Sequence, residues 1–230
     1  MKIAVIGAME EEVELLRAAI SNPKTTVIAN SEYTEGIYEG KEVVLLKSGI
    51  GKVNAGMSTT ILLHEFKPDV VINTGSAGGY DENLEVGAIV ISEEVRHHDV
   101  DATIFGYEIG QVPQMPAAFK SDVKLMAAAE AAVNKIGEHQ AATGLITTGD
   151  SFMNDPVRVE KVRQQFPTMK AVEMEAAAVA QVCHQFKTPF VVIRALSDIA
   201  GKQSDVSFEE FLPVAAKHST QIVLETVKSL

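Results

Sequence analysis

Residues 1–20 read Met1-Lys2-Ile3-Ala4-Val5-Ile6-Gly7-Ala8-Met9-Glu10-Glu11-Glu12-Val13-Glu14-Leu15-Leu16-Arg17-Ala18-Ala19-Ile20. The first part is a short apolar run rich in β-branched residues, read as a buried strand over residues 2–6. It stops at Gly7. The second part, residues 10–20, places Val13, Leu15, Leu16 and Ile20 at helical spacing. Its first turn is acidic, where the helix dipole favours negative charge. A buried strand that runs straight into an amphipathic helix is the building unit of an α/β protein.

The same alternation continues along the chain. Residues 25–29, 35–38 and 42–47 read as antiparallel strands, with Glu39-Gly40 as the turn between the last two. Gly49 and Gly51 break the chain before a helix over about 53–66, which Pro68 stops. Residues 69–73 are an apolar strand, and the glycine-rich residues 74–79 are expected to turn sharply after it. Residues 87–91 form a further strand. Residues 97–118 are the longest irregular stretch, and a loop of that length is usually functional or interfacial. Helices follow over 121–136, 155–166, 175–186 and 208–227, with strands over 141–147, 171–174 and 189–196. The fold class expected is α/β: one domain over residues 1–230, a three-layer sandwich with a mixed central sheet flanked by helices. In such sheets ligands sit beyond the carboxyl ends of the strands. Here those ends are residues 7–9, 47–50, 74–79, 148–152, 173–175 and 197–198, and they are expected to meet in one cleft.

Bulk properties narrow the function. The net charge is −11, which argues against a nucleic-acid or anionic-membrane partner. The short apolar start followed by an acidic helix reads as a strand and not a signal peptide. No apolar run approaches the ~20 residues of a membrane span. Cys183 is the only cysteine, so neither an internal disulfide nor a cysteine zinc cluster is expected, and a cytoplasmic location fits.

Charged residues at the ends of apolar segments mark the candidate chemistry, because a buried charge is costly unless paired or used. Glu173 and Glu175 flank Met174 at a strand end and share one side. One of them must meet a cation or bind hydroxyls. Arg194 lies inside the apolar strand 190–196 and needs a partner, for which Glu175 is the obvious choice. Asp198 and Ser197 follow the same strand; either could equally cap a turn. Glu10 and Glu11 suit a solvated helix start, whereas Glu12 stands nearer the apolar side and remains open between the two roles. The glycines of 74–79 match neither G-x-x-x-x-G-K-[ST] nor G-x-G-x-x-G. His97-His98-Asp99 are expected in a surface or interface loop, not at a metal. Phe152 suits either the core or a flat ligand.

Taken together, residues 6–12, 46–52, 73–79, 148–152, 172–175 and 194–198 closely resemble the motifs of the 5′-methylthioadenosine/S-adenosylhomocysteine nucleosidase family, in the nucleoside phosphorylase superfamily. The resemblance runs from residue 1 to about 224. It implies a cytoplasmic hydrolase of methionine salvage that cleaves the N-glycosidic bond of those two nucleosides, and of 5′-deoxyadenosine. It requires no cofactor and no metal. The alternative is a purine nucleoside phosphorylase or a hydrolase of another nucleoside. By the same resemblance Glu12 activates water, and Asp198, oriented by Ser197, protonates the purine. Glu175 holds the ribose hydroxyls beside Arg194, with Met9 and Met174 around the ribose. Phe152 stacks on adenine, and the backbone of Met153 reads its edge. Ser76 and Gly78 line the pocket, while Ile50 and Phe208 wall the 5′-thio site. The resemblance also implies a homodimer, in which Ala102, Phe105 and Pro113 of the partner subunit complete that site. Met153 and Ala102 depart from the residues usual at those positions.

Overall fold

The computed structural model describes residues 1–200 and 204–230. The chain runs β1 (Lys2–Gly7), α1 (Glu10–Ala19), β2 (Ser21–Ile28), β3 (Ser31–Tyr38), β4 (Lys41–Lys47), α2 (Lys52–Ile61), β5 (Val70–Gly79) and β6 (Ile89–His97). It continues with β7 (Phe119–Lys120), α3 (Val123–Ile136), β8 (Ala141–Thr148), α4 (Pro156–Gln165), β9 (Met169–Glu173), α5 (Ala176–Phe186), β10 (Phe190–Ile199) and α6 (Ser204–Ser229). A wide helical turn, Leu62–Phe66, extends α2 before Lys67 reverses the chain in a left-handed conformation.

All strands join one mixed sheet. β1 runs parallel to both β4 and β5, and β2, β3 and β4 form an antiparallel meander at one edge. Beyond β5 the sheet closes on itself, because β5 pairs with both β10 and β9 while β6 and β8 bridge those two. Alternation along β1 divides the core between two faces. Ile3 and Val5 pack with Val13 and Leu16 of α1, Leu125 and Ala129 of α3, and Ile222 and Val223 of α6. Ala4 and Ile6 pack with Ala55 of α2 and with Val179 and Cys183 of α5. Helices on both faces of a mixed sheet are the three layers expected. Among the described residues, no helix is long and apolar enough to cross a membrane.

Residues 74–79 do not turn sharply. They stay extended as the second half of β5, because strands supply ladder partners on both sides. Gly75 to Gly79 register with Arg194 to Ile199 of β10, and Gly78 and Gly79 also register with Val172 and Ala171 of β9. Local glycine content predicted a turn, and tertiary pairing overrides it. β6 likewise continues to His97, opposite Thr148 of β8. His97 and His98 are therefore buried and not on the surface, and burial lowers both imidazoles below their ordinary range.

Candidate active site

The strand ends meet, as expected, around one cavity of about 360 Å³. Its wall comprises Ala8, Met9 and Glu12 from the β1–α1 junction, Ile50 after β4, and Ser76, Ala77 and Gly78 of β5. Ser151, Phe152 and Met153 follow β8; Val172, Glu173, Met174 and Glu175 surround the end of β9; Ser197 and Asp198 belong to β10, and Phe208 to α6. Thirteen of the sequence-predicted site residues were assigned to this chain's own pocket, and all of them except Arg194 line it. Among the described residues, four side chains of the wall are carboxylates and none is an arginine or lysine.

Glu12 is the third residue of α1 and is 2 % exposed. The residue before the helix is Met9, whose side chain has no oxygen to cap the first turn. The Glu12 carboxylate reaches back instead: Oε2 accepts from the N–H groups of Ala8 at 2.8 Å and Met9 at 3.2 Å. Oε1 accepts from the Ser76 N–H at 2.9 Å and from the Ser76 hydroxyl at 3.0 Å. Four donors thus converge on one carboxylate, as many as its lone pairs accept.

Asp198 lies within β10, at a register shift between Leu196 and Asp198. Neither it nor Ser197 caps a helix. The Ser197 hydroxyl lies 2.9 Å from Asp198 Oδ1. Burial raises the Asp198 carboxyl from its ordinary 3.8 to about 6, and the hydrogen bond from Ser197 offsets only part of that rise. A carboxyl raised to about 6 can both hold and release a proton at mildly acidic to neutral pH.

Arg194 pairs with Glu175, as expected, at 3.7 Å, but its closer ion pair is with Glu173. Spacing showed that the two glutamates share a side, but not which lies deeper. The guanidinium, 1 % exposed, sits behind the cavity wall and not in it. Glu175 is held by the Gly51 N–H at 2.9 Å. Burial in the first place, and the charge of Glu173 in the second, push the Glu175 carboxyl well above the ordinary carboxylate range.

Phe152 is 37 % exposed and meets Phe208 edge-on, with ring centroids 5.6 Å apart. It belongs to the cavity and not to the core. Ala102, Phe105 and Pro113 stand outside the cavity of their own chain. Ala102 is buried, whereas the side chains beside it, Ile104 and Phe105, are 88 % and 79 % exposed. The strand ends expected in the cleft already contained Ala8, Ala77, Ser151 and Glu173, but sequence reasoning gave none of them a role of its own, although the charge of Glu173 was a signal. Val172 lay outside those ends, and its type carries none. Among the described residues no group of three His, Cys, Asp or Glu side chains is placed to hold a metal.

Comparison with known proteins gives a consistent result. The family model described as Phosphorylase superfamily matches residues 2–228. A 5′-methylthioadenosine/S-adenosylhomocysteine nucleosidase of Lysinibacillus sphaericus (strain C3-41) is 79 % identical over 230 residues, the whole of both chains. The protein of that name from Bacillus subtilis (strain 168) is 65 % identical, again over the whole of both chains. Among solved structures, the Neisseria meningitidis nucleosidase in complex with methylthio-immucillin-A superposes with a TM-score of 0.98 at 52 % identity, over 100 % of this chain and 99 % of that one. The Colwellia psychrerythraea nucleosidase in complex with adenine gives 0.98 at 54 % identity, over 100 % and 96 %. The chain belongs to the phosphorylase superfamily, within its family of 5′-methylthioadenosine/S-adenosylhomocysteine nucleosidases.

Proposed function

We propose that the chain hydrolyses the N-glycosidic bond of 5′-methylthioadenosine, S-adenosylhomocysteine and 5′-deoxyadenosine, releasing adenine and the 5-substituted ribose. One observation carries the mechanism. Glu12 and Asp198 open onto the same cavity against two residues of one strand: Glu12 binds Ser76, and the Asp198 carboxylate faces Gly78. Residues two apart lie on one face of a strand, about 6.6 Å along it. That spacing suits a pair of carboxyl groups with a sugar and a water between them.

Breaking the bond leaves positive charge on the sugar and negative charge on the purine. Asp198, its affinity for a proton raised by burial and its carboxyl oriented by Ser197, gives a proton to the departing adenine. Glu12 takes a proton from water on the opposite face of the sugar, so the anomeric carbon inverts. The Ser76 hydroxyl is the one side-chain donor among the four on Glu12, and a water in the cavity competes with it for that oxygen. Glu175 accepts the ribose hydroxyls, with Met9 and Met174 beside the ring. Adenine lies against Phe152, its edge read by the backbone of Met153. Ile50 and Phe208 bound the 5′ substituent.

A second copy of the chain closes that end with its Ala102, Phe105 and Pro113, so the working unit is a homodimer. The exposure of Ile104 and Phe105 in the single chain supports this pairing. The lone buried Cys183 suits the reducing cytoplasm.

A phosphorylase of the same fold would use phosphate as nucleophile. Phosphate calls for fixed cations, arginines above all, and among the described residues the cavity wall has none. Water is therefore the nucleophile. The test is incubation with 5′-methylthioadenosine in phosphate-free buffer, with free adenine as the readout. Full turnover is expected there, and a requirement for phosphate would overturn the assignment.

A further inference from the structure

Four carboxylates wall the cavity, and the reaction above gives work to three: Glu12, Glu175 and Asp198. Glu173 is left over, yet it accepts from four donors, as many as Glu12 does. Its side chain is 3 % exposed. It accepts hydrogen bonds from the Thr148 hydroxyl and from the Arg194 guanidinium. The N–H groups of Glu175 and Ala176, at the start of α5, also donate to it, at 3.0 and 2.8 Å. It thus caps the helix at whose mouth Glu175 sits, and it holds Arg194, the one cation among the described residues in contact with these carboxylates.

That cation has a choice of partners. Glu173, Glu175 and Glu12 all act on Arg194. Its remaining N–H groups are anchored to Asn73 Oδ1 at 3.0 Å and to the Thr74 carbonyl at 2.8 Å, while Nε has no partner. A guanidinium forks readily onto a carboxylate within reach. Were Arg194 to fork onto Glu175, three of that glutamate's four acceptor sites would be taken, because one already accepts from Gly51. In the structure Glu175 Oε2 stands 3.7 Å from Arg194, beyond hydrogen-bond reach.

We propose that Glu173 is a positioning residue: by claiming Arg194, it leaves Glu175 with a carboxylate oxygen free to accept a hydroxyl of the bound sugar. This rests on the reading of Glu175 as the ribose ligand. The charge of Arg194 still faces Glu175, so the glutamate is steadied without being consumed.

The test compares 5′-methylthioadenosine with its 3′-deoxy and 2′-deoxy analogues in the wild type and in Glu173→Gln, Glu173→Asp and Glu175→Gln, with thermal melting to report folding. In the wild type, loss of the hydroxyl bound by Glu175 costs about 10–100-fold in kcat/KM, the usual cost of leaving a buried acceptor unpaired. In Glu173→Gln that penalty falls below about threefold, while KM for the full substrate rises by a similar 10–100-fold factor and kcat changes little. Glu173→Asp keeps the charge but withdraws it by one methylene, so its penalty is intermediate; it carries the test if Glu173→Gln does not fold. A wild-type penalty in the variant that folds, however low its activity, makes Glu173 a structural residue only and overturns the proposal. Glu175→Gln separates the two readings. The amide oxygen that remains is a weaker acceptor, so the penalty must drop well below the wild-type value, and if the full penalty persists there, the assignment of Glu175 is what fails.

Discussion

Gly75 stands where any side chain would strike Glu12. A Cβ at that position would lie 2.5 Å from Glu12 Oε1 and 2.8 Å from Cδ, and would also meet the Arg194 guanidinium. Its φ of +141° is itself a conformation that side chains disfavour. The glycine lets two functional side chains from different elements, α1 and β10, press against one strand. Gly75→Ala is therefore expected to cost about 1–3 kcal/mol of stability through overpacking. The activity loss is expected to exceed what the stability loss explains, by about 100-fold, because Glu12 can yield only by leaving its place. Urea unfolding and adenine release, measured on the same preparation, check both numbers.

Asp198→Asn removes the proposed proton donor and keeps the shape. Turnover is expected to fall by about 10²–10⁴-fold, the range for one general acid, while 5′-methylthioadenosine still binds. Isothermal titration with that nucleoside gives the binding, and full activity in the variant would remove Asp198 from the acid role. In the wild type, kcat/KM should decline on the alkaline side as the free enzyme's Asp198 ionises, from about pH 6 upward.

The same carboxyl makes stability depend on pH. Its pKa rises from 3.8 in the unfolded chain to about 6 in the folded one, so folding favours the protonated form. The stabilisation is fully present below pH 3.8 and is lost as pH rises through 6. Above that, the protein carries a buried charge worth on the order of 2–3 kcal/mol of lost stability. Asp198→Asn should therefore be more stable than the wild type at pH 8, with the difference closing near pH 4. Denaturant titrations at the two pH values decide this, and equal differences at both would contradict it.

Much of this site is legible in the sequence because chemistry stands out against an apolar background. Glu12, Glu175, Arg194 and Asp198 are conspicuous beside Val, Ile, Leu and Ala, and the strand–helix alternation places them at strand ends. Depth is another matter. Spacing puts Glu173 and Glu175 on one side, yet Arg194 chooses Glu173 because Asn73 and Thr74 of β5 fix the guanidinium behind the wall. The extended form of residues 74–79 comes from β9 and β10, strands distant in sequence. His98 is buried because its ring packs against Gly149, a neighbour that only the fold supplies. Long-range pairing decides each of these, and periodicity carries no signal for it.

The 5′ end of the cavity has a consequence for substrate choice. Met9, Ile50 and Phe208 line the cavity with apolar surface; in the proposed binding mode they stand at that end, and Ile50 is 49 % exposed in the single chain. A methylthio group buries itself against such walls, whereas the 5′-hydroxyl of adenosine loses water and finds no partner among those three side chains. The difference between a fitting apolar group and its absence is about 1–3 kcal/mol, or 10–200-fold in kcat/KM. Adenosine is thus expected to be cleaved about 10–200-fold less efficiently than 5′-methylthioadenosine. Phe208→Ala should narrow the gap by making the methylthio compound worse, with little effect on adenosine. Side-by-side kinetics of the two nucleosides on both proteins measure this. Equal cleavage of adenosine and 5′-methylthioadenosine by the wild type would show that these three residues do not bound the 5′ substituent.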